Sequence, residues 1–242
     1  TNTLNMPKMP CDDGTKRAEF YDSIYIPNFI ENHKEIFNQL NEEIDWLPRE
    51  NFVFKIFGKM FNLPRDKAFI GDKSDDDFRP LYRYGDDYTP NVVDWTTKSN
   101  EIREKIETDF DVHNNHLVAN RYVNGKDHIG FHVDKIRDFT DNSSVYTTSF
   151  GEERVFRIKK MPTKRIRKLA GYEEENINEK EDVFTIKLKP GSLFILGPKT
   201  NTYYKHSIVK TGKKNVGTRI SLTMRSIKTH FKKINNKLVI RE

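Results

Sequence analysis

The stretch "VFTIKLKPGSLFIL" (183–196) decides the fold. Two runs rich in β-branched and aromatic residues flank Pro190 and Gly191, which is typical of two strands joined by a turn. Similar segments recur at "HLVANRYV" (116–123), "VYTTSFG" (145–151), "ERVFRIKK" (153–160), "YYKHSIVK" (203–210) and "GTRISLTMRSI" (217–227). Many short strands at this spacing predict a β-sandwich or jelly roll in the second half of the chain.

The first half mixes helical and strand patterns. The segment 31–46 places four apolar side chains on one helical face: Ile36, Phe37, Leu40 and Ile44. A second helix is predicted over 100–110, with Ser99 as its N-cap and with Ile102 and Ile106 on one face. The segments 23–30 and 51–59 read as short strands. The whole therefore predicts an α+β chain with N-terminal helices and a jelly-roll core over residues 110–228.

The length of 242 residues, with 17 Phe and 10 Tyr, suits a single core. We expect a disordered leader over 1–18 and one domain over 19–242. Residues 159–182 form a basic block followed by an acidic block, which predicts a charged surface insertion. A nuclear localisation signal in its basic part is the alternative to a solvated loop.

Composition excludes several classes of protein. The single cysteine, Cys11, rules out an internal disulfide and a zinc site built on cysteines. A reducing compartment, nucleus or cytosol, is therefore expected rather than secretion. No apolar run approaches the ~18 residues of a membrane helix, and the first residues lack a signal core. The net charge of +6 is compatible with a polyanionic partner.

Two of the seven histidines belong to a pattern that suits a metal. His132 and Asp134 are spaced as H-x-D, so on a strand their side chains point the same way. His206, between strong strand segments, is the candidate third ligand. Two imidazoles and one carboxylate form the facial triad of non-haem Fe(II) oxygenases. The alternative is an ordinary hydrogen-bonded loop, and His128, on the same strand face, is expected to be structural.

A second pattern suits a dianion. Arg219 and Arg225 are six residues apart, so an extended strand presents both on one face, and its other face is purely apolar. Buried arginines need anions, which a dicarboxylate would supply. Surface salt bridges are the alternative. Asn120 and Tyr122 share a strand face just upstream of H-x-D and could donate hydrogen bonds to the same carboxylates.

In chain order, "NRYVNGKDHIGFHVD" (120–134), "SFG" (149–151), "GSLFIL" (191–196), "TNTYYKHSI" (200–208) and "RISLTMR" (219–225) resemble the AlkB family of Fe(II)- and 2-oxoglutarate-dependent dioxygenases. The resemblance covers about residues 20–228. "FKIFGKMFNLPRDKAFIGD" (54–72) and "LYRYG" (81–85) resemble the finger hairpin and lid of the eukaryotic branch that repairs duplex DNA. The fold implied is a double-stranded β-helix with a β-hairpin nucleotide-recognition lid and finger over 51–98.

The resemblance implies a role for each matching residue. His132, Asp134 and His206 would hold Fe(II). The 2-oxoglutarate site would comprise Asn120, Tyr122, Arg219, Thr223 and Arg225, with Arg219 on the distal carboxylate. The wedge entering the duplex would comprise Ile56, Phe57 and Gly58, and the flipped base would pack against Tyr82 and Tyr84. Phosphates would be contacted by Arg65, Lys210, Lys213 and Lys214.

One departure lies beside the expected base site. Relatives commonly follow H-x-D with an acidic pair that reaches the damaged base, whereas this chain has Lys135 and Ile136. Lys135 therefore stands on the substrate side, and the lesion preference stays open. Asp138 or Asp141 is the alternative acidic group.

The activity implied is oxidative demethylation of bases such as N1-methyladenine or N3-methylcytosine in DNA, with O2 and 2-oxoglutarate consumed and formaldehyde released. A monomer that binds nucleic acid, DNA rather than RNA, is expected. Two alternatives remain open: the same chemistry on RNA or single strands, and a non-catalytic nucleic-acid-binding jelly roll.

Overall fold

The computed structural model describes residues 13–56, 59–83, 91–161, 183–235 and 237–242, and for residues 53–56 and 59–61 it describes the backbone alone. Residues 1–12, Phe57, Gly58, Tyr84 and most of the predicted insertion, residues 162–182, lie outside the described residues. Among the described residues, no helix is long and apolar enough to cross a membrane.

Strands dominate the described chain. The helices are α1 (His33–Glu43), α2 (Thr97–Phe110) and α3 (Pro198–Tyr203), with a 3-10 turn at Arg49–Asn51. The strands are β1 (Ala18–Phe20), β2 (Ser23–Ile26), β3 (Val53–Ile56), β4 (Lys59–Asn62), β5 (Asp66–Gly71), β6 (Arg79–Pro80), β7 (Val92–Val93), β8 (His116–Tyr122), β9 (Ile129–His132), β10 (Val145–Gly151), β11 (Arg154–Lys160), β12 (Val183–Leu188), β13 (Leu193–Leu196), β14 (Tyr204–Ile208), β15 (Arg219–Arg225), β16 (His230–Ile234) and β17 (Lys237–Arg241).

Two sheets face each other. The major sheet has the order β1-β2-β13-β10-β15-β8-β5-β7 and the minor sheet the order β12-β11-β14-β9. Neighbours pair antiparallel, except β5 and β7, which are parallel. Apolar side chains from both sheets meet between them; the rings of Phe156 and Phe194, for example, are 4.9 Å apart. The predicted α+β jelly roll is confirmed.

Alternation along β15 separates two environments. Ile220, Leu222 and Met224 are fully buried against the helices on the outer face of the major sheet. Arg219 and Arg225, on the opposite face, line a cavity between the sheets. A one-residue shift in register would exchange these faces, so the apolar face fixes where the arginines point.

Helices α1 and α2 cover the outer face of the major sheet. Leu40 of α1 and Ile102 and Ile106 of α2 are buried in that layer, as the helical periodicity predicts. The predicted cap of α2 was wrong by one turn. Thr96 is the N-cap, and Ser99 is the third helical residue, whose hydroxyl accepts from the Thr96 backbone N–H in a capping box.

Several boundaries of the domain and of its strands differ from the predicted ones. Residues 13–18 belong to the domain rather than to the leader, because Tyr25 donates a hydrogen bond to the Gly14 carbonyl, at 3.1 Å, and β1 begins at Ala18. Strand β11 runs through Lys159 and Lys160, which were assigned to the insertion. Sequence patterns also missed the C-terminal hairpin of β16 and β17, which pairs with β6.

Strands β3 and β4 form a separate two-stranded hairpin. Val53 pairs with Asn62, and Ile56 pairs with Lys59. These two strands lie within the segment predicted to form the finger. Its role toward a nucleic acid stays a prediction.

Candidate metal centre and cavity

Two strands of the minor sheet and the loop after one of them bring three potential ligands together. His132 ends β9 and lies opposite His206 of β14, and their ring centroids are 4.2 Å apart. Asp134 follows two residues later, with its Oδ1 3.8 Å from His132 Nε2. One ligand atom from each residue lies within 4.8 Å of the others. The H-x-D pair and the distant histidine thus meet as predicted, although Asp134 lies in the loop after β9 and not on the strand.

A backbone contact fixes the tautomer of His132. Its Nδ1 lies 2.9 Å from the Gly130 carbonyl oxygen, which can only accept, so Nδ1 carries the proton. The lone pair therefore sits on Nε2, on the side of Asp134. A hydrogen bond at the far nitrogen is the usual way a metal-binding imidazole is oriented.

The electrostatics favour the forms that bind metals. Burial, with the neighbouring His132, lowers the pKa of His206 to about 3, so its imidazole is neutral at neutral pH. Burial also lowers the pKa of His132. For Asp134, burial opposes ionisation, but Arg225 and the two histidines outweigh it and hold its pKa below the usual value. The site therefore offers two neutral imidazoles and one ionised carboxylate to a metal ion.

These residues fit Fe(II). The buried Nδ1 of His206 has no hydrogen-bond partner in the described part of the chain, which is unusual for a buried polar atom. Two histidines and one aspartate form the donor set of non-haem iron oxygenases and leave coordination positions open.

Arg219 lines the same cavity, where its guanidinium is buried. It is 1% exposed, donates a 2.9 Å hydrogen bond to Ser149 Oγ, and lies 5.2 Å from the Tyr122 ring centre. No carboxylate within the described ranges pairs with its guanidinium. Burial lowers its pKa to about 10, so the side chain is still cationic at neutral pH. A buried cation in this setting is a site for an anion.

The other predicted co-substrate residues surround the same space. Asn120, Tyr122, Thr223 and Arg225 all line a cavity of about 1040 Å³ together with the metal ligands. Arg225 Nη2 lies 3.8 Å from Asp134 Oδ2, and its guanidinium stacks 4.5 Å from the Tyr82 ring centre. The structure brings these residues together; their ligand stays a prediction.

The residues predicted to bind the substrate lie in different environments. Arg65 is 6% exposed and donates to Asn120 Oδ1 and the His128 carbonyl, both at 3.1 Å, so the predicted role at a surface phosphate was wrong for this residue. Tyr82 lines the cavity, and Lys135 stands exposed at its rim. The loop lysines are all exposed, as phosphate contact requires: Lys210, Lys213 and Lys214.

The acidic alternatives do not reach the cavity. Asp138 is 1% exposed and accepts from the Arg83 backbone N–H at 2.8 Å and from the Arg83 guanidinium. Asp141 is exposed and pairs with Lys228 at 3.1 Å. Neither lines the cavity, so replacement of the relatives' acidic pair by Asp138 or Asp141 is not supported.

Sequence reasoning missed two residues of the site. Lys67 lines the cavity at 5% exposure, and burial, with Arg65 and Arg225, lowers its pKa well below the usual value. Asn201 of α3 accepts from the Asp134 backbone N–H at 2.8 Å and donates to the Asp134 carbonyl at 2.9 Å. Lys67 could have been found, since it shares a strand face with Arg65. No sequence signal pointed to Asn201.

Comparisons with known proteins identify the family of this chain. The family profile of the 2OG-Fe(II) oxygenase superfamily matches residues 22–225. The DNA oxidative demethylase ALKBH2 of Mus musculus is 30% identical over 196 residues, which is 80% of this chain and 74% of that protein. ALKBH2 of Homo sapiens is 30% identical over 218 residues, 87% and 75% of the two chains.

A solved structure supports the fold. The structure of OsALKBH1 superposes with a TM-score of 0.55 at 11% identity and covers 87% of this chain and 100% of that one. From the metal triad, the buried arginine, the family profile and these relatives, the chain belongs to the 2OG-Fe(II) oxygenase superfamily and, within it, to the AlkB-type enzymes of the DNA repair branch.

Proposed function

We propose that this dioxygenase removes N-alkyl groups from bases in DNA. The observation that carries the proposal is that the metal triad and buried Arg219 share one cavity of about 1040 Å³. That volume suits a small co-substrate beside a nucleobase. The ALKBH2 relatives, which are DNA oxidative demethylases by name, support DNA as the substrate.

The chain would hold its cofactors with residues already in place. Fe(II) would bind His132, Asp134 and His206. When bound, it supplies the oxidative chemistry that turns 2-oxoglutarate and O2 into succinate and CO2 and hydroxylates an N-methyl group, which leaves as formaldehyde. Arg219 would bind the distal carboxylate of 2-oxoglutarate, and the apolar walls around Phe156 and Phe194 would exclude water.

The remaining steps concern access to the base. A base within a duplex must be flipped to enter a cavity between two sheets, and its unstacking costs a few kcal/mol, least for a damaged base. Phe57 follows β3 in the sequence and precedes β4, and its aromatic side chain would be the wedge that fills the gap in the stack. Duplex DNA is therefore the proposed substrate, with N1-methyladenine and N3-methylcytosine among the candidate lesions.

The test is lesion-by-lesion turnover on matched single- and double-stranded oligonucleotides with Fe(II), ascorbate and 2-oxoglutarate. We expect demethylation of duplex DNA, and a large loss on duplex but not on single strands in Phe57→Ala. No turnover of any methylated oligonucleotide would refute the function. Equal activity of Phe57→Ala and wild type on both forms would refute the wedge alone.

A further inference from the structure

The hairpin of β3 and β4 is not part of either large sheet. Among the described strands, β3 and β4 pair only with each other. Sheet register therefore does not orient this hairpin, whereas it does orient the strands of the major and minor sheets. The orientation of the hairpin depends instead on the segments at its base, residues 47–52 before β3 and residues 63–65 after β4.

Arg49 holds the segment before β3 with a network of charged contacts. Its guanidinium donates to Asp127 through two nitrogens, at 2.9 Å from Nη1 to Oδ1 and at 2.7 Å from Nη2 to Oδ2. Its Nε donates to Asp66, which also accepts from Arg121 at 2.8 Å. The hydrogen bond to Asp127, together with that to Asp66, raises the pKa of Arg49 although burial opposes this. A two-point contact between charged groups fixes direction as well as distance.

Other contacts join the segment before β3 to β5. The Leu47 backbone N–H donates to the Lys67 carbonyl at 2.9 Å, and the ring of Phe52 lies 5.9 Å from that of Phe69. The contact of Arg49 with Asp127 differs from these, because it joins the segment to a second element. That element is the turn between β8 and β9, residues 123–128, called the β8–β9 turn below.

The β8–β9 turn is itself well fixed. Asp127 is 4% exposed, and its Oδ2 also accepts from the Val123 backbone N–H at 2.8 Å. The Arg154 guanidinium donates to the Asp127 carbonyl at 2.6 Å and to the Asn124 carbonyl at 3.2 Å. Arg49 therefore contacts a part of the domain that is held from two sides.

The same turn also holds the segment after β4. The His128 backbone N–H donates to the Pro64 carbonyl at 3.1 Å, and Arg65 donates to the His128 carbonyl at 3.1 Å. Both ends of the hairpin are thus attached to the β8–β9 turn, one through Arg49 and the other through Pro64 and Arg65.

A third segment is attached to the β8–β9 turn. It is the loop between β14 and β15, residues 209–218, which contains the predicted phosphate-binding lysines and is called the lysine loop below. The Thr211 backbone N–H donates to the Gly125 carbonyl at 2.9 Å. The two segments are in close contact, since a Cβ atom added at Gly125 would lie 2.8 Å from Thr211 Cγ2. One turn therefore connects the two elements that are expected to contact DNA.

We propose that Arg49 and Asp127 are positioning residues for a duplex substrate. Their ion pair holds the hairpin of β3 and β4 at a fixed spacing from the lysine loop, so that the wedge and the phosphate contacts engage one duplex together. The inference rests on the proposed function, in which Phe57 is the wedge. A base in a single strand has no partner to be separated from, so it needs no wedge. The ion pair should therefore matter for duplex DNA and not for single strands.

The experiment compares kcat/KM on a duplex and on a single strand that carry the same methylated base in the same sequence. The quantity of interest is the ratio of duplex to single-strand turnover, in which a general loss of activity cancels. Arg49→Gln removes the cation, and Arg49→Lys keeps the charge but loses the two-point contact. Arg103→Gln on α2 is the matched control, since it breaks a partly buried ion pair, that with Asp72 at 2.6 Å, on the outer side of the major sheet.

We expect the ratio to fall by about tenfold in Arg49→Gln, since misplacing a substrate by about 1 Å can cost up to about 100-fold. The loss should appear mainly as a higher KM for the duplex, because the wedge acts as the duplex binds. Arg49→Lys should give an intermediate ratio, and Arg103→Gln should give the wild-type ratio. If Arg49→Gln fails to fold, Arg49→Lys decides, and a wild-type ratio in it overturns the inference.

A double variant separates positioning from a general structural effect. Phe57→Ala removes the wedge itself. If Arg49 acts through the wedge, Arg49→Gln should lower the ratio much less in the Phe57→Ala background than in the wild type. Equal losses in the two backgrounds, or an unchanged ratio in both Arg49 variants, overturn the inference and leave the proposed function standing.

Failure of the proposed function has a different outcome, namely no turnover of either form by the wild type. The dissociation constants of the same two oligonucleotides then decide the inference, measured without O2 on protein loaded with Mn(II) and 2-oxoglutarate. Their ratio should shift by about tenfold against the duplex in Arg49→Gln, and an unchanged ratio overturns the inference. Wild-type turnover of single strands alone also overturns it.

Discussion

Two halves of the cavity are built in different ways. The iron half consists of His132, His206, Arg219 and their neighbours on β8, β9, β14 and β15, and every one of these strands is paired within a sheet. The substrate half consists of Arg65, Lys67, Tyr82 and residues 133–135. Lys67 lies near the start of β5, and the others lie in loops. Sheet register positions the first half, and a few side-chain contacts position the second.

The difference shows where change is tolerated. A strand residue in the iron half cannot shift without moving an apolar layer such as Leu222 and Met224 on the other face. The loops that carry Tyr82 and Lys135 depend on single contacts beside the cavity, such as that of Asp138 with Arg83, so a substitution there changes a loop without disturbing a sheet. The sheets therefore fix the residues of the metal centre, whereas loops hold most of the residues on the proposed substrate side.

The iron half should fail completely when a ligand is lost. We expect His206→Ala to abolish calorimetric Fe(II) binding and to lower turnover by more than about 100-fold, beyond the loss caused by removing a residue that only supports a ligand. The control is His113→Ala, whose side chain is 66% exposed and pairs with Glu107. Intact Fe(II) affinity in His206→Ala would remove His206 from the metal site.

Loss of the buried arginine should weaken the co-substrate alone. Arg219→Gln removes the cationic donor, and we expect 2-oxoglutarate to bind about 100-fold more weakly, equivalent to about 2.8 kcal/mol. Titration of 2-oxoglutarate into the Mn(II)-loaded protein measures this, with exposed Arg157→Gln on β11 as the control. Unchanged affinity for 2-oxoglutarate, with metal binding intact, would contradict the assignment of Arg219.

The protein should lose stability as pH falls, because Asp138 becomes protonated. Burial opposes its ionisation, but the hydrogen bonds from Arg83 outweigh burial and hold its pKa below the usual value. The ion pair therefore stabilises the fold above the unfolded pKa of about 4, and that contribution disappears as pH falls through the lower folded-state pKa.

Asp138→Asn should lower the free energy of unfolding by about 2 kcal/mol at pH 7, because a charged hydrogen-bond partner is lost. Urea denaturation at pH 7 and near pH 3 measures the difference, which should shrink in acid. Asp141→Asn, whose exposed ion pair with Lys228 is worth at most ~1 kcal/mol, is the control. A pH-independent difference would contradict the role of the ionised Asp138.

Asn201 joins the two halves and should give the smallest effect. Its two hydrogen bonds hold the backbone of Asp134, and Asp22 anchors its helix by accepting from the Lys199 and Thr200 backbone N–H groups at 2.7 and 2.8 Å. Asn201→Ala should weaken metal binding about tenfold, as loss of a supporting contact does. Thr202→Ala, on the same helix, should bind metal like the wild type. Equal Fe(II) affinity in the two variants would show that Asp134 needs no support from Asn201.

The sequence predicted the iron half because strand periodicity is local. The spacing in H-x-D and R-x5-R predicts which side chains share a face. The apolar residues between the arginines predict which face packs against the core. The contacts of Asn201 with Asp134 and of Asp138 with Arg83 join residues 67 and 55 positions apart, and no local pattern encodes such pairs. For the same reason Arg65 was assigned to phosphate, although folding turns it into the cavity.

The most direct test of the central claim is product stoichiometry on a single methylated duplex. Wild-type protein, Fe(II), 2-oxoglutarate and O2 should yield repaired base, formaldehyde and succinate in equal amounts, with Asp134→Ala yielding none of them. Succinate formed at the same rate without a methylated base, with no repaired base when one is present, would contradict the account.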